Sequence, residues 1–185
     1  GDDVTFISAT GAFGDKNVGT GKTVVLSTSM GGADAGNYII TDQGSTTADI
    51  TQAALTVSGL LGQDRVYDGT TIAAIDISGA VLTGFIGGDD LSVTASGAFA
   101  DKNVGVGKAV TISSSYSGAD VANYAITDQT ASTADITQAA LTVSGISAAG
   151  KVYDATTAAT TDDSGAIFLG LIAGDTVTVS ATGAF

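Results

Sequence analysis

Nineteen acidic residues, every one an aspartate, and no histidine or cysteine set the chemistry open to this 185-residue chain. A thiolate nucleophile, an imidazole base, a disulfide framework and a zinc site of ordinary type are excluded at once. Hard oxygen ligands remain, and Asp89, Asp90, Asp101 and Asp120 are the carboxylates that could meet at a loop end around a calcium ion. No EF-hand or nonapeptide spacing accompanies them, and Asp90 becomes Thr176 in a later copy of the same segment. The competing reading is a set of solvated turn aspartates bonded to their own backbone. No other cofactor is expected.

Two further constellations have chemical potential. Lys16, Lys22, Asn17 and Asn37, with their copies Lys102, Lys108, Asn103 and Asn123, hold the ingredients of a Lys to Asn isopeptide bond. That bond needs a buried amine beside an Asn and a carboxylic acid kept protonated by burial; the plainer reading is a polar turn whose Lys neutralises nearby Asp. Tyr67 and Tyr153 each precede an Asp, and Tyr38 and Tyr124 each follow an Asn. Exposed, they would make a sugar-binding platform; as core or corner residues they would bury the ring and hydrogen-bond the hydroxyl, which is the expected state. Serine and lysine occur throughout, but no strained elbow or general base accompanies them, so an enzyme is not expected.

The elements that must carry these residues come from an internal repeat. Gly11-Ala12-Phe13 returns as Gly97-Ala98-Phe99 and as Gly183-Ala184-Phe185; Asp15 to Gly19 returns at Asp101 to Gly105; Val66-Tyr67-Asp68 returns as Val152-Tyr153-Asp154. The offset is 86 residues throughout, and overlapping copies agree at about three positions in five. The longest unbroken agreement is Thr47 to Gly59 with Thr133 to Gly145. Within a copy, Leu55 and Val57 alternate with Thr56 and Ser58, Val110 and Ile112 with Thr111 and Ser113, and Tyr124 and Ile126 with Ala125 and Thr127. This period of two marks half-buried strands, punctuated by Gly, Asp, Asn and Ser, and no segment sustains a helical stripe. The fold class is all-β, expected as tandem immunoglobulin-like β-sandwich modules of about seven short strands each. The segment from Gly1 to Gly11 has one residue more than Gly88 to Gly97, which predicts a bulge or longer turn rather than a register change.

Leu55-Thr56-Val57-Ser58-Gly59, Val66-Tyr67-Asp68-Gly69-Thr70-Thr71, Gly88-Asp89, Ala100 to Gly105, Gly118-Ala119-Asp120 and Asn123-Tyr124 follow one another at constant spacing. In this order they resemble the YDG repeat of large bacterial surface exoproteins. Such repeats are related to MBG-type modules and stand in tandem in filamentous-haemagglutinin-like adhesins. The resemblance implies an extracellular, cell-surface or secreted location and a stalk or adhesive array, and it brings no catalytic residues. In its phase, residues 1–53 are the rear of one repeat, 54–139 a complete repeat, and 140–185 the front of a third. Gln52 and Gln138 stand where the family often has Pro. Ala155 replaces the Gly of the name motif, so that position need not have a positive φ.

A formal charge of −13, from 6 basic and 19 acidic residues, argues against nucleic acid and anionic lipid as partners. No apolar stretch approaches a membrane span, so membrane insertion is not expected. The expected partners are neighbouring repeats of the same chain, with a glycan or a host surface protein as ligand if the modules bind. Differences between copies fall at Leu60 to Arg65 and Gly44 to Thr46, mostly turns, which leaves the choice between a stalk and a binding module open and tilts it to the stalk. Ile50 to Leu55 contains no Gly, Pro or Ser-rich linker, so successive repeats are expected to be joined stiffly. The half-repeats are expected to expose unpaired edges through which one chain could complete another head to tail.

Overall fold

The computed structural model describes residues 1–185 and is all-β, with nineteen strands, two single-turn 3-10 segments at Ala35–Asn37 and Val121–Asn123, and no α-helix. The strands gather in small sheets, the largest of five strands. The chain divides into two compact units: residues 1–58, 80–94 and 115–129 form the first, and residues 59–79, 95–114 and 130–185 the second.

In the first unit, strands Thr5–Phe13, Gly19–Gly31 and Ser45–Ile50 make an antiparallel meander. Its register runs Phe6 opposite Met30 and then Ser8 opposite Ser29, leaving Ile7 as the extra residue of a bulge. The additional residue foreseen in this segment is therefore absorbed inside the strand, and Gly11 to Phe13 keep their pairing with Leu26 to Val24. After two residues the chain enters Ala53–Ser58, which lies between Tyr124–Thr127 on one side and Val81–Thr83 on the other. The first pairing is parallel, with Tyr124 opposite Ala53 and Thr127 opposite Thr56; the second is antiparallel. Alternation decides which face is buried: Leu55 and Val57 point into the core with Tyr124, while Thr56 and Ser58 face water.

The five-stranded sheet, which supplies residues 65–66, 72–73, 95–99, 105–114 and 131–137 to the second unit, orders Arg65–Val66, Ala131–Thr137, Gly105–Ser117, Ser92–Phe99 and Ile72–Ala73. Its apolar face supplies Val110, Ile112, Ala134, Ile136 and Phe99, and Leu60 is fully enclosed. Two-stranded ladders complete the unit, among them Thr142–Ser144 with Ile167–Leu169 and Ala158–Ala159 with Gly183–Ala184.

The name-motif turn is built alike in both copies. Arg65 Nη1 holds Asp68 at 2.6 Å and Thr70 Oγ1 at 2.8 Å, and Asp68 accepts the Thr70 N–H at 2.8 Å. Lys151 does the same for Asp154 and Thr156 at 2.9 Å, and each cation also lies over an aromatic ring, Phe99 or Phe185. The residue after each Asp sits in the left-handed region, Gly69 with φ 81° and Ala155 with φ 59°. Ala155 thus keeps the positive φ that its side chain does not require. The turn is set by the Asp and Thr bonds around it, and the alanine is carried into the conformation that its glycine counterpart adopts freely.

Candidate functional site

The loop at residues 14–18 joins two strands of the first meander, and its shape comes from its own side chains. Asp15 Oδ1 accepts the Asn17 N–H at 2.8 Å and also the Lys22 ammonium, which closes the turn. Lys16 is thereby presented outward, and its Nζ reaches Asp89 Oδ1 at 2.6 Å and Asp120 Oδ1 at 2.9 Å. The same loop is held a second time: Val18 N–H donates to Asn123 Oδ1 at 2.9 Å, and Asn123 Nδ2 donates to Asn17 Oδ1 at 3.3 Å.

Asp89 is shared. Its Oδ2 accepts the Tyr124 hydroxyl at 2.7 Å, and that hydroxyl in turn accepts the Ile86 N–H at 3.0 Å. The Tyr124 ring is 3% exposed and stacks on Phe85 with centroids 6.3 Å apart. Gly84, just before Phe85, has φ 93°, and a Cβ there would collide with the Ala54 carbonyl, so the backbone can approach the strand this closely only at a glycine. Gln52 completes the arrangement by donating from Nε2 to the carbonyls of Ala122 and Tyr124, each at 3.1 Å. Lysine, tyrosine, glutamine and a parallel ladder thus converge on the strand that follows a two-residue joint, beside a cleft of about 250 Å³.

A second node lies in the second unit, 86 positions on. Lys102 Nζ meets Asp175 Oδ1 at 2.9 Å, and the Tyr67 hydroxyl donates to the same oxygen at 2.9 Å. Lys102 also lies 5.7 Å from the centre of the Tyr67 ring. Its loop is closed as the first is, with Asp101 holding the Asn103 N–H at 2.8 Å and Lys108 at 2.7 Å. Beside this node opens a cleft of about 390 Å³ lined by Gln138, Ala139, Leu141, Leu171, Ile172 and Asp175, among others.

Electrostatics favour fixed opposite charges. The Lys16 ammonium, and then the Tyr124 hydroxyl, hold Asp89 below the usual carboxylate range. The Asp90 N–H and then Lys16 do the same for Asp120, and Lys102 followed by Tyr67 for Asp175. Asp89 and Asp120 together raise Lys16, while burial and the neighbouring Asp89 raise Tyr124. An isopeptide bond would require the reverse, a neutral amine and a protonated acid. Lys16 stands near Asn123 and two carboxylates, yet it is a fixed cation there and not a nucleophile.

Three of the four carboxylates considered for calcium come together. Asp89 and Asp120 share Lys16, and Asp90 adjoins Asp120: the Asp90 N–H donates to Asp120 Oδ2 at 2.9 Å, and Asp90 Oδ2 accepts the Ala119 N–H at 3.0 Å. Asp101 belongs to the other unit and pairs with Lys108. The oxygens of these four groups are engaged by an ammonium and by backbone N–H donors, and no three acidic side chains are placed to hold a metal ion. The tyrosines divide. Tyr67 and Tyr124 hydrogen-bond an Asp as expected of core or corner residues, Tyr38 is half-exposed with its hydroxyl on Asp2, and Tyr153 is 90% exposed, which corrects the expectation of burial for that copy. Gln52 and Asp175 were not singled out by their chemistry. Their signal was repetition: Gln52 lies inside the longest unbroken agreement, and Asp2, Asp89 and Asp175 each follow a Gly at the same place in three copies.

A family model described as the YDG domain matches residues 1–48, 51–132 and 137–185. No curated protein and no solved structure matches the chain.

Proposed function

We propose that this chain, which belongs to the YDG domain family, is a run of spacer repeats from the stalk of a large bacterial cell-surface or secreted adhesin. The observation that carries this reading is the recurrence of one junction chemistry. A lysine on a self-closed loop grips the aspartate of a Gly-Asp turn 73 residues further on, once as Lys16 with Asp89 and again as Lys102 with Asp175. An enzyme has no use for a repeated joint. A spacer does, since each added copy must be fixed to the last. The two-residue connection from Ile50 to Ala53, with Gln52 tied to two carbonyls, supports a stiff joint in the same way. In this proposal the repeats divide at 1–53, 54–139 and 140–185, each complete copy closes as an immunoglobulin-like β-sandwich of about seven strands, and the partners that matter are neighbouring repeats. The filamentous-haemagglutinin-like setting, the kinship with MBG-type modules and the extracellular location belong to the same proposal.

A second reading, an adhesive module for a glycan or a host protein, draws support from one place. Tyr153 and Phe185 flank Lys151 and Thr156 around an open cleft, an aromatic platform with polar neighbours. Two measurements separate the readings. Small-angle scattering of an array with more repeats should show a maximum dimension that rises in proportion to copy number, and a freely jointed or compact form would reject the spacer. A specific, saturable glycan-array signal lost on Tyr153→Ala would establish the adhesive module instead.

A further inference from the structure

Ala53–Ser58 is the first strand that the chain enters after the joint at residues 51–52, and it is held along both edges. Its parallel neighbour is Tyr124–Thr127, with Tyr124 opposite Ala53 and Thr127 opposite Thr56. The seat of that neighbour is completed by Phe85, Ile86 and Asp89, which receive the tyrosine ring and hydroxyl. All of these residues belong to the first unit.

The direction of the pairing has a mechanical meaning. The chain comes into this ladder at Ala53, at one end, and goes out of it past Thr127, at the other. Parallel strands drawn from opposite ends must slide past each other, and the evenly spaced, slanted bonds between them stretch together. Strands drawn from the same end separate one bond at a time. Resistance to force follows the rate of unfolding and not the equilibrium stability, so the two directions of pull give different lifetimes to one and the same structure.

Side chains strengthen the ladder against sliding at the end where a pull arrives. Gln52, on the entering chain, donates to the carbonyls of Ala122 and Tyr124, at the head of the partner strand. The Tyr124 hydroxyl binds Asp89 and the Ile86 N–H, and Asp89 is held in turn by Lys16. Gly84 lets the backbone before Phe85 lie against the Ala54 carbonyl. Entering strand, leaving strand and the turn at residues 84–89 are therefore tied to one another around Ala53 and Tyr124.

We propose that the parallel ladder of Ala53–Thr56 with Tyr124–Thr127, anchored by Gln52 and Tyr124, is a shear clamp that resists a pull along the chain. Its use to the protein rests on the spacer reading, since a spacer transmits tension from one repeat to the next. Its strength is a property of the ladder and is measured independently of that reading.

The chain has no cysteine, so thiol handles can set the direction of pull. Thr51→Cys with Thr127→Cys loads the ladder from opposite ends, and Ser58→Cys with Thr127→Cys loads it from one end; all three positions are exposed. In optical tweezers at constant force, the first pair should keep the first unit folded roughly tenfold longer than the second, because at least two ladder bonds must break together in one case and singly in the other. Added to the first pair, Gln52→Ala or Tyr124→Phe should shorten that lifetime roughly tenfold. Added to the second pair, either should shorten it far less, because rupture there starts at the other end. Gln52 is exposed, so its variant keeps the test open if Tyr124→Phe does not fold. Equal lifetimes in the two directions, or equal losses on Gln52→Ala in both, overturn the proposal. A lifetime that depends on direction, in an array that scattering shows to be compact, leaves the clamp standing and rejects the spacer; equal lifetimes in an extended array do the reverse.

Discussion

Leu55 and Leu141 are the same residue of the same motif, Ala-Ala-Leu-Thr-Val-Ser, in two structural states, and truncating each to alanine separates the contribution of the seated strand from that of the motif. Leu55 is 0% exposed, with a strand on either side of its own, so Leu55→Ala removes three carbons from a closed core. Such truncations cost about 2–5 kcal/mol, the transfer loss plus a cavity. Leu141 is 39% exposed and its strand has one open edge, so part of its surface never left water and the site can relax; its truncation should cost under about 1.5 kcal/mol. With a urea m-value of about 1–3 kcal/mol/M, Leu55→Ala should lower the midpoint of the first unit by roughly 1–2 M and Leu141→Ala that of the second by well under 1 M. Hydrogen exchange followed by mass spectrometry assigns each loss to its strand, comparing residues 53–58 with 139–144 at high dilution. Equal costs at high dilution, or a Leu55→Ala cost below about 1 kcal/mol, would falsify the view that Tyr124–Thr127 seals this part of the core.

Ala155→Gly should stabilise the chain by about 0.5 kcal/mol, because relief of the left-handed alanine outweighs the added freedom of the unfolded glycine. Gly69→Ala should cost about 1–2 kcal/mol, since the new Cβ would also lie 2.9 Å from Ile172 Cγ2; thermal melts of the pair check both signs. Gln52→Ala should cost about 1–2 kcal/mol in urea titration by freeing two carbonyls, whereas Gln138→Ala should be neutral, having no bond to lose. The depressed Asp89, Asp120 and Asp175 contribute stability present above their unfolded value near pH 3.9, and it fades as pH falls through their lower folded values. Raised Lys16 contributes fully below its unfolded value near 10.4 and loses the contribution only as pH rises past its higher folded value. Melting temperature should therefore be level through neutrality and drop below about pH 4, less steeply in Asp89→Asn.

Local alternation was enough to mark strands within Ala53–Ser58, Gly105–Ser117 and Tyr124–Thr127, because a period of two is written in adjacent residues. A comparison of copy lengths was enough to show one extra residue between Gly1 and Gly11 as a bulge or a longer turn; its place at Ile7 is seen only in the pairing register. Partners are another matter. Nothing in Asn-Tyr-Ala-Ile-Thr says that it will lie parallel to a strand some seventy residues earlier, since alternation specifies a face and not a neighbour. The polar turn in which Lys neutralises Asp was legible as a type, but the aspartates that Lys16 meets are distant in sequence, which composition cannot reveal. Ala155 shows the limit of residue preference: an L-residue occupies positive φ because the Asp154 and Thr156 bonds on either side define the turn. Tyr153 shows the limit of copy identity, since the same motif holds a bonded ring at Tyr67 and an exposed one here.

The parallel pairing of Ala53–Ser58 with Tyr124–Thr127 has a temporal side. A chain delivered from its N-terminus presents the earlier strand first, and that strand waits with one edge bare until residue 127 has followed. Lys16 waits likewise for Asp89 and then Asp120. Loop closure over such separations is slow compared with a local hairpin such as Thr5–Phe13 with Gly19–Gly31, so meanders form early and seats fill late. In the first unit the strand Ala53–Ser58 is thus completed by residues some seventy positions later, and the loop that carries Lys16 is secured in the same stage, which gives maturation a direction along the chain, like a zip drawn one way.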